Sequence, residues 1–218
     1  MTLYLIYLSS TDTHWRQKVS NSESRITLPP PRTGGPVSLE TAIAQRRSVR
    51  RYAPRDLNLE QIGQLLWAAQ GITGGRDVLR AAPSAGACHP LEFYVCRADG
   101  VWHYEPQQHR LVRHLEQDVR AELAEAAWRQ RFIAEAPCAF VISAIFERTT
   151  RRYGERGRLR YVPMDVGHAA ENLLLQAVAM GLASVPVGAF DDTAVKRVLA
   201  LPRNEEPLYI LPVGYPKL

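Results

Sequence analysis

The stretch from Val166 to Met180 constrains this chain more than any other. It is almost wholly apolar, much longer than a strand, and stopped by Gly181, which predicts one long helix. A helix apolar on every side has to be covered on every side. In a chain of 218 residues, enough for one substantial domain, that requirement favours a subunit interface in addition to the chain's own core.

The rest of the pattern mixes helices and strands. Residues 1–37 read as an N-terminal arm: Leu3 to Leu8 suit an early strand or ordered arm, and the run after it turns proline- and glycine-rich at Pro29 to Pro36. Residues 38–218 read as the domain. Ser38 is placed to cap a short helix leading into the cluster Arg46, Arg47, Arg50 and Arg51. Asn58 with Gln61 forms a capping-box pattern for a second, amphipathic helix that Gly71 closes. Phe93–Cys96 and Val101–Tyr104 flank Asp99-Gly100 as a hairpin. Leu115–Ala134 reads as a helix, Ala139–Phe146 as a buried strand, and Ala183–Gly188 as a strand before a helix capped by Asp191 or Asp192. Leu208–Val213 is expected to be a last strand. Without a strict β-α-β-α rhythm, these elements predict an α+β fold in which helices flank a sheet.

Charge and cysteines narrow the setting. A net charge of +5 and a pI near 9.3 suit an anionic ligand, a nucleic acid or an acidic partner, and do not choose among them. Cys88, Cys96 and Cys138 are odd in number and lack a Cys-x-x-Cys spacing, which argues against a disulfide framework or zinc knuckle and favours a reducing, cytoplasmic compartment. No stretch approaches the roughly 20 apolar residues of a membrane span, so no membrane partner is expected.

Three segments could carry chemistry. Arg46, Ser48 and their neighbours offer guanidinium and hydroxyl donors suited to a phosphate, and equally suit a solvated basic face or nonspecific nucleic-acid contact. Pro83-Ser84-Ala85-Gly86-Ala87 is small enough for its backbone to approach a flat aromatic ligand, and is also a simple tight turn before a strand. Pro186, Val187, Gly188 and Ala189 end a strand just before a helix N-terminus. Their backbone could meet a planar ring, or simply connect two elements.

Taken in order, five motifs carry a specific likeness: Arg-Arg-Ser-Val-Arg-Arg-Tyr at 46–52, Leu-Leu-Trp-Ala-Ala-Gln-Gly at 65–71, Pro-Ser-Ala-Gly-Ala at 83–87, Asp-Val-Gly-His-Ala-Ala-Glu-Asn-Leu at 165–173 and Val-Gly-Ala-Phe-Asp-Asp at 187–192. Together they resemble the nitroreductase-like FMN flavoproteins, and within them the SagB-type dehydrogenases, whose members include oxidases that turn azolines into azoles in modified peptides. The likeness runs from about Thr13 to the C-terminus. It implies a central, mainly antiparallel sheet and an intertwined homodimer with two FMN sites, each built from both subunits. Arg46, Arg47, Ser48 and Arg50 would grip FMN, Arg46 nearest the phosphate and Arg50 nearest the pyrimidine edge. Pro83, Ser84, Ala85 and Ala87 would come from the partner subunit, and Pro186 to Ala189 would line the ring beside its reactive nitrogen. NADH or NADPH would serve as a transient reductant.

Two departures from the family pattern matter. The second basic pair that many members place near the C-terminus for the phosphate is represented here by Lys217. Where azoline oxidases are associated with a lysine–tyrosine pair, this chain has Arg160-Tyr161, and an arginine, always protonated, binds an anion or lowers the tyrosine's pKa but cannot act as a base. These two are the candidate catalytic residues. The reading is an FMN-dependent oxidoreductase acting on a small molecule or peptide. Its rivals are a peptide-azoline oxidase working with a cyclodehydratase, and a noncatalytic flavin- or nucleic-acid-binding module; no nucleic acid is expected for the leading reading. The arginines from Arg148 to Arg160 read as a solvated loop, or as a surface for an acidic partner. His89 is a candidate for a substrate pocket, Cys88 for packing and His168 for a core or interface position, and no histidine spacing suits zinc.

Overall fold

A computed structural model describes residues 24–75 and 79–217; the expectation for Leu3–Leu8 lies outside them. The core is a seven-stranded sheet of β1 (Arg25–Thr27), β4 (Leu91–Arg97), β5 (Gly100–Glu105), β6 (Arg110–Leu115), β7 (Cys138–Ala144), β8 (Ala183–Ser184) and β9 (Glu206–Gly214), in the order β1-β6-β5-β4-β7-β9-β8. Every strand pair in it is antiparallel. A small hairpin of β2 (Ile72–Gly74) and β3 (Leu79–Arg80) stands apart. The helices are α1 (Leu39–Gln45), α2 (Leu59–Gln70), α3 (Arg120–Ala126), α4 (Phe132–Glu135), α5 (Glu147–Arg156), α6 (Val162–Ala179) and α7 (Asp192–Val198).

Strand alternation builds two cores. Phe93 and Val95 of β4, with Phe140 and Ile142 of β7, point toward α2 and α6; Tyr94, Cys96, Ala139 and Val141 point toward α3 and α7. A sheet buried on both faces at its centre explains the near-continuous apolar run of β7, in which every residue is buried. Burial pushes the Cys138 thiol up to about 12 and Cys96 well above its ordinary value, as expected of inert packing cysteines.

Local signals hold where contiguous residues suffice. Ser38 Oγ accepts from the Thr41 amide, the Asn58–Gln61 capping box closes in both directions, and Asp191 caps α7. The Asp99-Gly100 hairpin joins β4 and β5. Gly71 does end α2, but in an extended conformation; it is needed because a Cβ there would stand 2.1 Å from Trp67 Cδ1.

Several expectations are corrected. The helix predicted over 115–134 is three elements: the end of β6, α3, and α4, separated by a turn in which Trp128 and Arg129 take left-handed φ of 53° and 63° and stop the helix. β6 itself is stabilised by pairing with β1 and β5, long-range partners that local periodicity does not reveal. The arginine-rich loop is helical instead. α5 kinks at Gly154 and passes through a π-helical turn, Gly157–Tyr161, straight into α6. The strand over 183–188 shrinks to two residues, after which only Val187 bridges to Ile210. α6 starts at Val162, earlier than expected, and is not enclosed by its own chain: Met164, Gly167, His168 and Glu171 are exposed, so His168 is not packed inside the monomer.

Candidate functional site

The arginine cluster leaves helical geometry at its first residue. Arg46 (ψ 122°) caps α1, and the chain then runs extended beside β8 instead of keeping Arg46 and Ser48 on one helical turn. Ser48 bridges Ser184 in parallel, and the Val49 amide donates to the Ser184 carbonyl at 3.0 Å. Tyr52 fixes the other end: its buried hydroxyl donates to the carbonyls of Val49 and Pro212, and burial pushes its pKa up. The C-terminal residues zip onto the same run. Ala53 N donates to Tyr215 O at 2.8 Å and Lys217 N to Arg51 O at 3.0 Å, which brings the backbone of Lys217 to the cluster.

The strand end at 186–189 joins this edge through α4 and the turn before it. Arg50 lies over the Phe132 ring at 5.7 Å, and Gln130 Nε2 donates to the Ala189 carbonyl at 2.8 Å. Gln130 and Phe132 are therefore supporting residues that the sequence did not single out. Arg47 donates to the carbonyls of Ala44 and Arg46, while Arg46 Nε sits 3.8 Å from Glu171 Oε1, a loose contact between partly exposed groups that is worth little energetically. These guanidiniums are thus not committed to tight carboxylate pairs. Ser184 is buried, and its Oγ has no hydrogen-bond partner among the described residues.

The Pro83–Ala87 turn is held elsewhere on α6. Ser84 Oγ donates to Asp165 Oδ2 at 2.6 Å, Ala85 N donates to Asp165 Oδ1 at 3.3 Å, and Ser84 Oγ accepts from the His89 amide at 3.0 Å. Burial pushes the Asp165 carboxyl up, against the Ser84 and Ala85 hydrogen bonds that favour its ionised form. Gly86, Ala87 and His89 adopt left-handed φ of 58°, 53° and 45°, strain that the Asp165 anchor helps to hold. A Cβ on Gly86 would also come within 2.5 Å of the Tyr153 hydroxyl. Asp165 carries the loop; its signal in the sequence was a carboxylate near the start of an otherwise apolar helix.

Asp165 and Glu171 are six residues apart on α6, about 9 Å along its axis at roughly 1.5 Å per residue. Within one chain, then, the helix carries the arginine cluster and the small-residue turn at separate points. Leu39 and Ile43 on α1 and Met164 on α6 are more than half exposed or close to it.

Tyr161 lies on the π-helical turn. Its hydroxyl accepts from Arg156 Nε at 2.8 Å, and its ring meets Tyr153 edge-on at 5.0 Å between centroids. The guanidinium at this hydroxyl is that of Arg156, whereas Arg160 is exposed on the same turn. The wider pitch of the π turn brings residue i close to residue i+5, a spacing outside the usual helical search.

The sequence model of the Nitroreductase family matches residues 43–215, which include this edge as far as Tyr215, the turn and α6. The chain belongs to the nitroreductase family. It is 46% identical over 184 residues to a candidate nitroreductase of Methanocaldococcus jannaschii, covering 82% of this chain and 91% of that protein. Over 166 residues it is 32% identical to the trifolitoxin-processing protein TfxB of Rhizobium leguminosarum, covering 68% of this chain but only 44% of TfxB. A solved structure of a candidate nitroreductase from Ralstonia eutropha superposes with a TM-score of 0.81 at 29% identity, covering 92% of this chain and 93% of the other. The antiparallel sheet and its flanking helices are thus the nitroreductase fold, and the chain is an oxidoreductase of that family. Among the described residues no helix is long and apolar enough to cross a membrane.

Proposed function

We propose that this oxidoreductase is FMN-dependent and passes hydride through a flavin bound between two copies of the chain, with NADH or NADPH as transient reductant. One observation carries the reading: the run Arg46–Arg50 and the segment Ser184–Ala189 share one sheet edge, whose arginines make no tight carboxylate pair and whose buried Ser184 hydroxyl has no partner among the described residues. That donor set fits a phosphorylated, planar, electron-poor ligand.

In this reading Arg46, Arg47 and Ser48 hold the phosphate, with Lys217 as the second cation brought in by the C-terminal zipper. The flavin, when bound, supplies two-electron redox chemistry. Arg50, steadied on Phe132, keeps positive charge where negative charge develops at the pyrimidine edge. Pro186, Val187, Gly188 and Ala189 supply backbone and small surfaces against the ring. Pro83, Ser84, Ala85 and Ala87 of a second copy cover its other side, held in shape by that copy's own Asp165. The open faces of α1 and α6 support this arrangement, since Leu39, Ile43 and Met164 leave apolar surface for another chain to cover. Purified protein should be yellow or take up added FMN, and anaerobic NADH or NADPH should bleach it; a colourless protein that takes up no FMN would sink the reading.

The similarity to TfxB, a processing protein, favours one second reading: oxidation of azolines in a peptide, with a cyclodehydratase as partner. The Arg156–Tyr161 hydrogen bond would then hold the phenol oriented, with Arg160 on the same turn to bind an anionic group. Tyr161→Phe should abolish peptide oxidation while leaving NAD(P)H-dependent flavin reduction intact; equal loss of both would remove this reading.

A further inference from the structure

A second enclosure opens on the far side of the Pro83–His89 turn. It is a cavity of about 390 Å³ lined by the paired strands β4 and β5 together with Arg80 of β3, His89 and Arg148. That volume suits a small organic ligand.

The charges lining it are unevenly satisfied. Glu92 is engaged twice, by His103 Nε2 at 2.7 Å and by Arg148 Nη2 at 2.5 Å. Burial works to raise its carboxyl, and these two partners overcome it, leaving the carboxyl below the usual range. Glu105 is taken by Arg110 Nε at 2.5 Å. Arg80 has no carboxylate within ion-pair distance among the described residues. Its Nη1 donates to the Gln70 carbonyl at 3.2 Å, and its Nε is shut off from solvent with no acceptor. Burial, reinforced by the nearby positive charge of Arg148, holds the guanidinium below its ordinary pKa.

Glu92 is paired with Arg148, and Glu105 with Arg110 outside the lining, so Arg80 is the guanidinium of the lining left without an ion-pair partner among the described residues. An arriving anion that drew the guanidinium plane toward the cavity would supply both the missing charge and the missing acceptor. A guanidinium fork matches the planar, bidentate geometry of a carboxylate. One unpaired guanidinium suits a monoanion, because a dianionic phosphate would meet Glu92 and Glu105 across the same space.

We propose that this cavity is a binding site for a monocarboxylate, gripped by Arg80 with Arg148 at its side. The carboxylate could belong to a free organic acid or to the C-terminus of a peptide. The proposal does not depend on the flavin reading, and its test uses no flavin signal.

The test is calorimetric titration of the full chain with benzoate, benzamide, inorganic phosphate, and a short apolar peptide as the free acid and as its C-terminal amide. Benzoate should bind saturably and protect β4, β5 and residues 79–93 from hydrogen exchange, while benzamide and phosphate should not. Binding of the peptide acid but not its amide would identify a chain terminus as the source; binding of benzoate alone would identify a free acid. Arg80→Lys, which keeps the charge and loses the fork, should weaken benzoate about tenfold, and Arg80→Gln should abolish its binding. Hydrogen exchange on the unliganded variants shows whether each is folded. No benzoate binding by the parent chain would overturn the proposal, as would protection elsewhere, equal protection of β4, β5 and residues 79–93 by phosphate, or full affinity in a folded Arg80→Lys.

Discussion

Replacing Asp165 by alanine tests the claim that one carboxylate on α6 shapes the Pro83–Ala87 turn. The side chain is 3% exposed and accepts from Ser84 Oγ at 2.6 Å and Ala85 N at 3.3 Å. A short hydrogen bond to a charged acceptor contributes about 1.5–3 kcal/mol and a long one about 0.5–1.5 kcal/mol. Against this, removing the carboxylate relieves the burial cost that raises its pKa, which brings the net effect toward the lower end of that sum. The net expectation is a loss of about 2 kcal/mol, or a melting temperature lower by roughly 4–8 °C for a chain of this length. Urea denaturation of parent and variant at equal protein concentration measures it. The pH dependence supplies an internal check. Because the folded carboxyl titrates above its ordinary 3.8, its proton is held more tightly in the folded chain; that contribution is fully present below 3.8 and is lost as pH rises through the folded value. The variant's deficit should therefore narrow as pH rises from 3.8 through the folded value. A variant within about 0.5 kcal/mol of the parent across that range, the scatter of a neutral surface change, would refute the anchoring argument.

Other substitutions probe separate parts of the molecule. Arg46→Gln should weaken FMN uptake by about tenfold or more, the worth of one charge-assisted phosphate contact, with an unchanged melting temperature in the absence of flavin; fluorescence titration of FMN reads it, and unchanged affinity would remove Arg46 from the phosphate site. Gly71→Ala forces Trp67 aside and strains its Nε1 hydrogen bond to Ile72 O, so it should destabilise the chain by about 1–3 kcal/mol in thermal denaturation. Glu205 is 2% exposed, accepts from Ser143 Oγ, and has its carboxyl raised by burial. Its contribution to stability is present below 4.5 and lost as pH rises through the folded value, so Glu205→Gln should gain stability relative to the parent over that rise; a relative loss there contradicts the burial argument. Asn58→Ala should cost about 1 kcal/mol by removing the capping box.

What the sequence by itself determined is what neighbouring residues can settle among themselves. Ser38, Asn58 and Asp191 cap their helices because each side chain reaches an amide three residues on, and Asp99-Gly100 turns the chain because Gly100 accepts a φ of 122°. The ordered motifs likewise pointed to the family, since each preserves a short local shape. Only the tertiary structure decided which of these shapes meet. Ser84 finds Asp165 across 81 positions, Gln130 finds Ala189 across 59, and Ser48 lies along Ser184; no periodicity encodes such pairs. The same holds for the mistaken helix over 115–134, where pairing of β6 with β1 and β5 outweighs local preference, and for Tyr161, whose partner Arg156 is set by a π-helical turn. The apolar helix that first constrained the chain shows the division most plainly. Its composition required burial, but which face its own core covers, and which is left open around Met164, Gly167 and His168, depended on where α2 and the sheet came to lie.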